Sequence, residues 1–242
     1  MKEKLFKHKL IRLGSRHDGG YFVCPNAVSK AQNLIGIGIE TNWEFEKDFL
    51  KINPKVKVST FDGQTNFFLI LKFFFNQLLK KIFLKSNWDL LRRSVLNIFE
   101  YNYFLHNILN FTNKNIGLKK GLSFSKIIEG KKNIFLKVDI EGSEYRILEE
   151  IIIAKNQLIG LAIEFHDFDL NKNKVYNFID NIGMELIHLN VNELGGLSSE
   201  NFPLVIELTF SKNPLKCKID KSLFEIPNSK NNDFISVDSV KL

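Results

Sequence analysis

Ile134-Phe-Leu-Lys-Val-Asp139-Ile-Glu141-Gly142-Ser143-Glu144 runs an apolar strand into two carboxylates separated by one residue, then into a glycine and a polar helix start. Alternation at the strand end puts Asp139 and Glu141 on the same side of the chain. In open α/β sheets, ligands bind in the crevice beyond the carboxyl ends of the strands. Acidic groups there are costly unless they hold a ligand, a metal or a proton. A helix dipole accounts for Glu144 and in part for Glu141, but not for Asp139.

Upstream, Asn33-Leu-Ile-Gly36-Ile-Gly38-Ile-Glu40 reads as a buried strand entering a glycine turn. Trp43, Phe45, Phe49 and Leu50 fit the inner face of a helix of about ten residues, which Pro54 ends. Val56 to Gly63 is a second strand, closed by Asp62 and a glycine. This is a βαβ unit, and its crossover predicts a parallel sheet. Before it, Asp18-Gly19-Gly20 between apolar neighbours signals a tight turn in a small hairpin, so residues 1–32 form an N-terminal hairpin or arm.

Residues 66–110 break this rhythm with an unusually aromatic helical stretch, read as two or three helices inserted after the second strand. The plain reading is a packed helical layer. A lid, or an interfacial helix over residues 67–85 giving peripheral membrane contact, is the alternative. Further on, residues 110–118 suggest a short strand, Ser123 to Glu129 a brief helix and Glu144 to Lys155 another. Leu158 to Asp167 is a strand ending in Glu164 and His166, and a helix is expected near Lys174 to Ile182. Two strands follow, Met184 to Asn192 and Leu204 to Phe210, close enough to pair antiparallel. Residues 213–242 read as a surface arm, and no internal repeat is evident. The whole predicts one α/β domain over residues 1–242, a Rossmann-like three-layer sandwich: a mostly parallel sheet with an antiparallel final strand, plus the helical insertion.

Composition sets bounds on this reading. An apolar content of 44% over 242 residues suffices for a core. The net charge of +7 permits an acidic partner, but lysine is scattered among abundant asparagine and phenylalanine, so no nucleic-acid partner is expected. Cys24 and Cys217 form no metal spacing or disulfide framework. The charged start Met1-Lys-Glu-Lys is unlike a secretory signal, and no apolar run reaches about 20 residues. A cytoplasmic protein is expected.

Gly36-x-Gly38 followed by Thr41 fails the dinucleotide fingerprint, which wants a third glycine or alanine. Two glycines still let a nucleoside or amino-acid moiety approach the backbone, and Asp62 stands where a carboxylate binds ribose hydroxyls. Together they favour a nucleoside-containing cofactor. His166, in the same crevice as Asp139, is a candidate base or ligand. His188, with Asn190 and Asn192 on its face, is a second. His17 beside Asp18 looks like a turn-stabilising group, though Asp18 and Gly19 could touch a cofactor.

Leu136-Lys-Val-Asp-Ile-Glu-Gly-Ser-Glu144 resembles the LK(I/V/M)DIEG(A/S)E signature of FkbM-type methyltransferases, S-adenosylmethionine-dependent enzymes of the Rossmann-like class. The likeness extends along most of the chain. Asp18-Gly-Gly-Tyr21, Gly36-Ile-Gly38, Phe61-Asp62, Ile116-Gly-Leu118, Ile163-Glu-Phe-His166, His188-Leu-Asn-Val-Asn192 and Pro203-Leu-Val-Ile-Glu207-Leu-Thr209 resemble further elements in order. The first loop departs, with Glu40 in place of a third glycine, and residues 66–110 match nothing in the pattern.

The resemblance implies O-methylation of a sugar or glycan hydroxyl, as in surface polysaccharide biosynthesis, or of a secondary metabolite. Asp18, Gly19, Gly36, Gly38, Glu40, Asp62, Gly63, Asp139 and Glu141 are then expected to contact S-adenosylmethionine. His166, Asp139 and His188 are the expected catalytic groups, with His166 the base. Asp139, Glu141 and His166 could alternatively bind magnesium or manganese. A nicotinamide-dependent oxidoreductase on a similar sheet is the rival enzyme class, and Thr41 argues against it.

Overall fold

The computed structural model describes residues 8–15, 19–84 and 88–215. Its centre is a seven-stranded sheet. In chain order the strands are β3 (Asn33–Ile37), β4 (Lys57–Phe61), β5 (Phe111–Thr112), β6 (Ile134–Val138), β7 (Leu158–Phe165), β8 (Glu185–Val191) and β9 (Ile206–Ser211). They lie in the spatial order β5-β4-β3-β6-β7-β9-β8. All neighbouring pairs are parallel except those of β9, which runs antiparallel between β7 and β8. The order reverses between β3 and β6, the position at which an open sheet leaves a crevice for a ligand.

Alternation sorts the side chains onto two faces. Ile35, Ile37, Leu136, Val138, Leu161 and Ile163 build one core. It is covered by α5 (Phe124–Ile128), α6 (Leu148–Ile153) and α7 (Phe168–Asn181). Leu34, Phe135 and Ala162 build the other. That face is covered by the antiparallel hairpin of β1 (Ile11–Gly14) and β2 (Gly20–Val23), by α1 (Pro25–Lys30) and by α2 (Glu44–Ile52). The result is the three-layer α/β sandwich that the sequence led us to expect, with the antiparallel strand in it.

The insertion consists of α3 (Phe67–Leu84) and α4 (Trp88–Glu100), followed by a π-helical turn at Tyr101–Ile108. Asn66 caps α3, its Oδ1 accepting from the Leu69 amide at 2.9 Å. Ile70, Leu105 and Leu109 bury against the hairpin-side core. Polar contacts tie α4 to the turn after β3: Asn97 donates to the Thr41 carbonyl at 2.7 Å, and Trp43 Nε1 to Glu100 at 2.8 Å.

Three local details differ from the sequence reading. The expected helix from Glu144 is a 3₁₀ turn, Glu144–Arg146, before α6 starts at Leu148. The cause is Glu144 itself, whose carboxylate folds back to accept from the Ile140 and Gly142 amides. The helix expected near Lys174 starts six residues earlier, at Phe168, and bends at Asn171. The helix Pro25–Lys30 was not foreseen; Pro25 occupies its first turn, where the missing N–H costs nothing. Of the two expected arms, residues 1–7 and 216–242 lie outside the described residues.

Candidate functional site

Where β3 and β4 end, two turns are laced together through one carboxylate. Asp62 accepts from the Glu40 amide on one oxygen at 2.8 Å, and from the Gln64 and Thr65 amides on the other at 2.7 and 3.0 Å. Thr65 returns the link, donating its hydroxyl to the Glu40 carbonyl at 2.7 Å. A carboxylate offers about four lone-pair sites, so Asp62 has room for one further donor rather than for both hydroxyls of a ribose. Gly38 sits at φ +78°, and a Cβ there would overlap the Asp139 carbonyl oxygen. This is a position that only glycine serves.

Gly36 has a different task from the one expected. A Cβ there would come within 2.8 Å of the Glu46 carboxylate, which α2 presses against the strand. Burial pushes the Glu46 acid upward, and the charge of Lys137 opposes this. Lys137 pairs with Gly36 across β3 and β6. Its buried ammonium donates to the Gly38 carbonyl at 3.1 Å and lies 3.9 Å from Asp139.

Period-two alternation then sets Asp139, Glu164 and Glu207 beside one another on the hairpin side of the sheet. Glu164 is the register partner of Glu207, and Asn190 donates to Glu207 at 3.1 Å. The hairpin lowers Tyr21 onto this row. The Tyr21 hydroxyl is 3.3 Å from Asp139 Oδ2 and 3.2 Å from Glu164 Oε2. Burial, then the charges of Asp139, Glu164 and Glu207, hold its phenol well above the ordinary value, so it serves as a fixed donor.

His166 stands at the end of β7 among three acids. Its Nδ1 lies 3.0 Å from Glu144, and its Nε2 lies 3.3 Å from Glu141 and 3.6 Å from Glu164. Burial works against its charged form. The hydrogen bond and charge of Glu144, with the charges of Glu141 and Glu164, outweigh that and raise its pKa to about 9. At neutral pH the resting imidazole therefore carries a proton, which a base must first lose. Tyr145 fixes the strand end by donating to the His166 carbonyl at 2.6 Å.

Lys137, Asp139, Glu164 and His166 line one cleft of about 510 Å³ together with the turns at Gly38 and Asp62. Of the residues expected from sequence, Gly19, Gly38, Glu40, Asp62, Gly63, Asp139, Glu141 and His166 line it, and Gly36 does not. Asp18 lies outside the described residues.

His188 does not line the cleft, which corrects the expectation that made it a catalytic group. β9 is inserted between β7 and β8, and a register shift lies between Leu186 and His188. His188 instead stacks on Phe22 with ring centroids 4.8 Å apart. Burial and then the charge of Arg12 lower its pKa to about 4.

For a metal ion, the group among the described residues whose ligand atoms lie within 4.8 Å of one another is Asp139, Glu164 and His166. Glu164 thus takes the place that the sequence reading gave to Glu141, whose side chain is largely exposed. Tyr21, Lys137 and Asn192 were not among the expected site residues. Asn192 donates to Glu164 Oε1 at 3.1 Å. Strand alternation counted back from Asp139 would have found Lys137, but no local signal marks Tyr21, because it arrives from the hairpin.

No family profile matches the chain, and no curated protein matches it. Some solved structures resemble it. An O-methyltransferase family protein from Burkholderia thailandensis is 11% identical with a TM-score of 0.40, covering 78% of this chain and 53% of that one. The Methanococcus jannaschii fibrillarin pre-rRNA processing protein is 11% identical with a TM-score of 0.39, covering 87% and 85%. TrmK of M. capricolum, in complex with S-adenosyl-homocysteine, is 15% identical with a TM-score of 0.36, covering 81% and 71%. These are loose likenesses, and neither an activity nor a substrate follows from them.

Proposed function

We propose that the chain is an S-adenosylmethionine-dependent O-methyltransferase acting on a hydroxyl of a sugar or glycan. One observation carries this reading. The braced glycine turn at Gly38–Glu40 with Asp62, and the Asp139–Glu164–His166 group, line one and the same cleft. The first suits a nucleoside and the second suits a cation and a hydroxyl proton. The FkbM-type resemblance of Leu136 to Glu144 agrees with it.

The residues present fit the donor. Gly38 lines the cleft, Asp62 and Gly63 would hold the nucleoside, and the Asp139 carboxylate would receive the amino group. When bound, S-adenosylmethionine supplies a methyl already activated on a sulfonium, so the protein's task is alignment and proton removal. His166 is the assigned proton acceptor at Nε2. Glu144 fixes its ring through Nδ1, and Tyr21 with Lys137 holds Asp139 in place.

A metal-assisted version rests on the compactness of Asp139, Glu164 and His166. Two carboxylates and an imidazole suit manganese or magnesium, which would acidify the acceptor hydroxyl. Titration calorimetry with Mn²⁺ on the chelator-treated protein separates the two. Micromolar binding that Glu164→Gln removes supports the metal; no heat sinks it.

The proposal itself is tested by equilibrium dialysis of S-adenosylmethionine against NAD, followed by S-adenosylhomocysteine release with a panel of monosaccharide and glycan acceptors. S-Adenosylmethionine binding with acceptor-dependent release is expected. Binding of NAD alone would replace the proposal with the oxidoreductase reading.

A further inference from the structure

We propose that the outward faces of α3 and α4 form a docking surface for an anionic lipid bilayer. In α3 the exposed apolar side chains are Phe67, Phe68, Phe75, Leu79, Ile82 and Phe83, with Phe68 and Phe83 76% and 75% exposed. At 3.6 residues per turn, all of these but Phe67 fall within a stripe about 100° wide. In α4, Trp88, Leu96 and Phe99 share one face in the same way, with Trp88 69% and Phe99 76% exposed. Aromatic surface on this scale is unusual for a helix that only covers a core.

The charges within these stripes identify the occupant. Exposed Lys72 lies within the α3 stripe and exposed Lys80 beside it, exposed Arg92 lies within that of α4, and α3 contains no acid. The Lys81 ammonium sits 4.1 Å above the Trp88 ring, joining the two helices at their turn end. In α4, Glu100 is turned inward to Lys47 and Trp43, which leaves Asp89 as the exposed acid of the face. Long cationic side chains around inserted aromatics are the pattern of a surface that lies in the headgroup region. A second copy of the chain would bring the same cations against each other across a two-fold contact; anionic headgroups neutralise them. Among the described residues no helix is long and apolar enough to cross a membrane, so the helices would lie on the bilayer rather than span it.

The surface is mechanically joined to the cleft. Asn97 of α4 holds the Thr41 carbonyl, and Glu100 holds Trp43, on either side of Asn42, which lines the cleft. Docking therefore acts on the turn beside the candidate site. The inference does not depend on the methyl-transfer reading.

The chain has two tryptophans, and Trp43 is buried. Trp88 thus reports on this surface directly. On adding vesicles of phosphatidylcholine with phosphatidylglycerol, the expected results are co-sedimentation, a blue shift of the emission and protection from iodide, all absent in Trp88→Phe for the optical signals. Phosphatidylcholine alone should bind at least about tenfold more weakly, as should the double variant Lys72→Glu/Arg92→Glu. Phe68→Ser/Phe99→Ser should lose sedimentation while its melting temperature stays at the parent value, because both side chains are exposed. No sedimentation with anionic vesicles overturns the proposal. So does a Trp88 shift that follows protein concentration without lipid, which would make the face a self-association surface.

Discussion

The Nδ1 of His166 lies 3.0 Å from Oε1 of Glu144, a carboxylate with no exposed surface that also receives the Ile140 and Gly142 amides. One buried acid therefore shapes the turn after β6 and sets the ring of the nearest histidine.

If His166 takes the acceptor's proton, activity in chelator-treated buffer should rise with pH and level off only above about 9, since the proton must leave first. Glu144→Gln removes the largest charge holding that proton and should move the limb toward the ordinary value. The check is the pH profile of kcat/KM alongside the imidazole NMR titration. A limb that stays where it was in Glu144→Gln would remove Glu144 from this role.

The same histidine has a stability consequence whose sign is fixed. Its folded pKa is raised, so its contribution is fully present below about 6.5 and is lost as pH rises through about 9. His188 has the opposite sign. Its folded pKa is lowered to about 4, so its contribution is present above about 6.5 and is lost as pH falls toward 4. Urea denaturation of His188→Phe, which keeps an aromatic ring against Phe22, should show a flatter acid limb and an unchanged alkaline one.

Asp139→Asn keeps the shape of the side chain and removes its charge. Loss of a charge-assisted hydrogen bond of about 1.5–3 kcal/mol should weaken S-adenosylmethionine binding roughly tenfold to a hundredfold. Dialysis affinity and single-turnover rate are to be measured separately. Unchanged values for both would take Asp139 out of the site.

Tyr21→Phe withdraws the shared donor from Asp139 and Glu164 without changing the packing of the ring on Phe45. The expected cost is about 1–3 kcal/mol of folding stability from the hydrogen bond lost to the charged carboxylates. Gly38→Ala should cost more, because it combines a positive φ with overlap on the Asp139 carbonyl. Chemical denaturation midpoints rank the two, and the reverse order would refute the close-approach argument.

Much of the sheet was legible because its strands are short apolar runs closed by glycine or acid, and local periodicity governs them. The ends of β3, β4, β6 and β7 fell where Gly38, Asp62, Asp139 and His166 marked them. What escaped depended on who sits beside whom. Period two shows that Glu164 shares a face with its strand neighbours, but not that Tyr21 descends on it from the hairpin. His188 went astray for the same reason, since nothing local announces that β9 slides between β7 and β8. Gly36 looked like part of a cofactor loop, whereas its missing side chain makes space for Glu46, ten residues along the chain.

The placement of β9 bears on how the protein comes into being. Glu207 stands on the strand that fills the gap between β7 and β8, opposite Glu164. On a ribosome, β3, β4, β6 and β7 can associate as they emerge, yet the row of acids under Tyr21 gains its last member only when residues 206–211 arrive. Until then β7 presents an open antiparallel edge next to the unfinished site. The row of acids under Tyr21 is thus completed last, and a nascent chain stalled before β9 would display a sticky edge where the finished protein pairs β7 with β9.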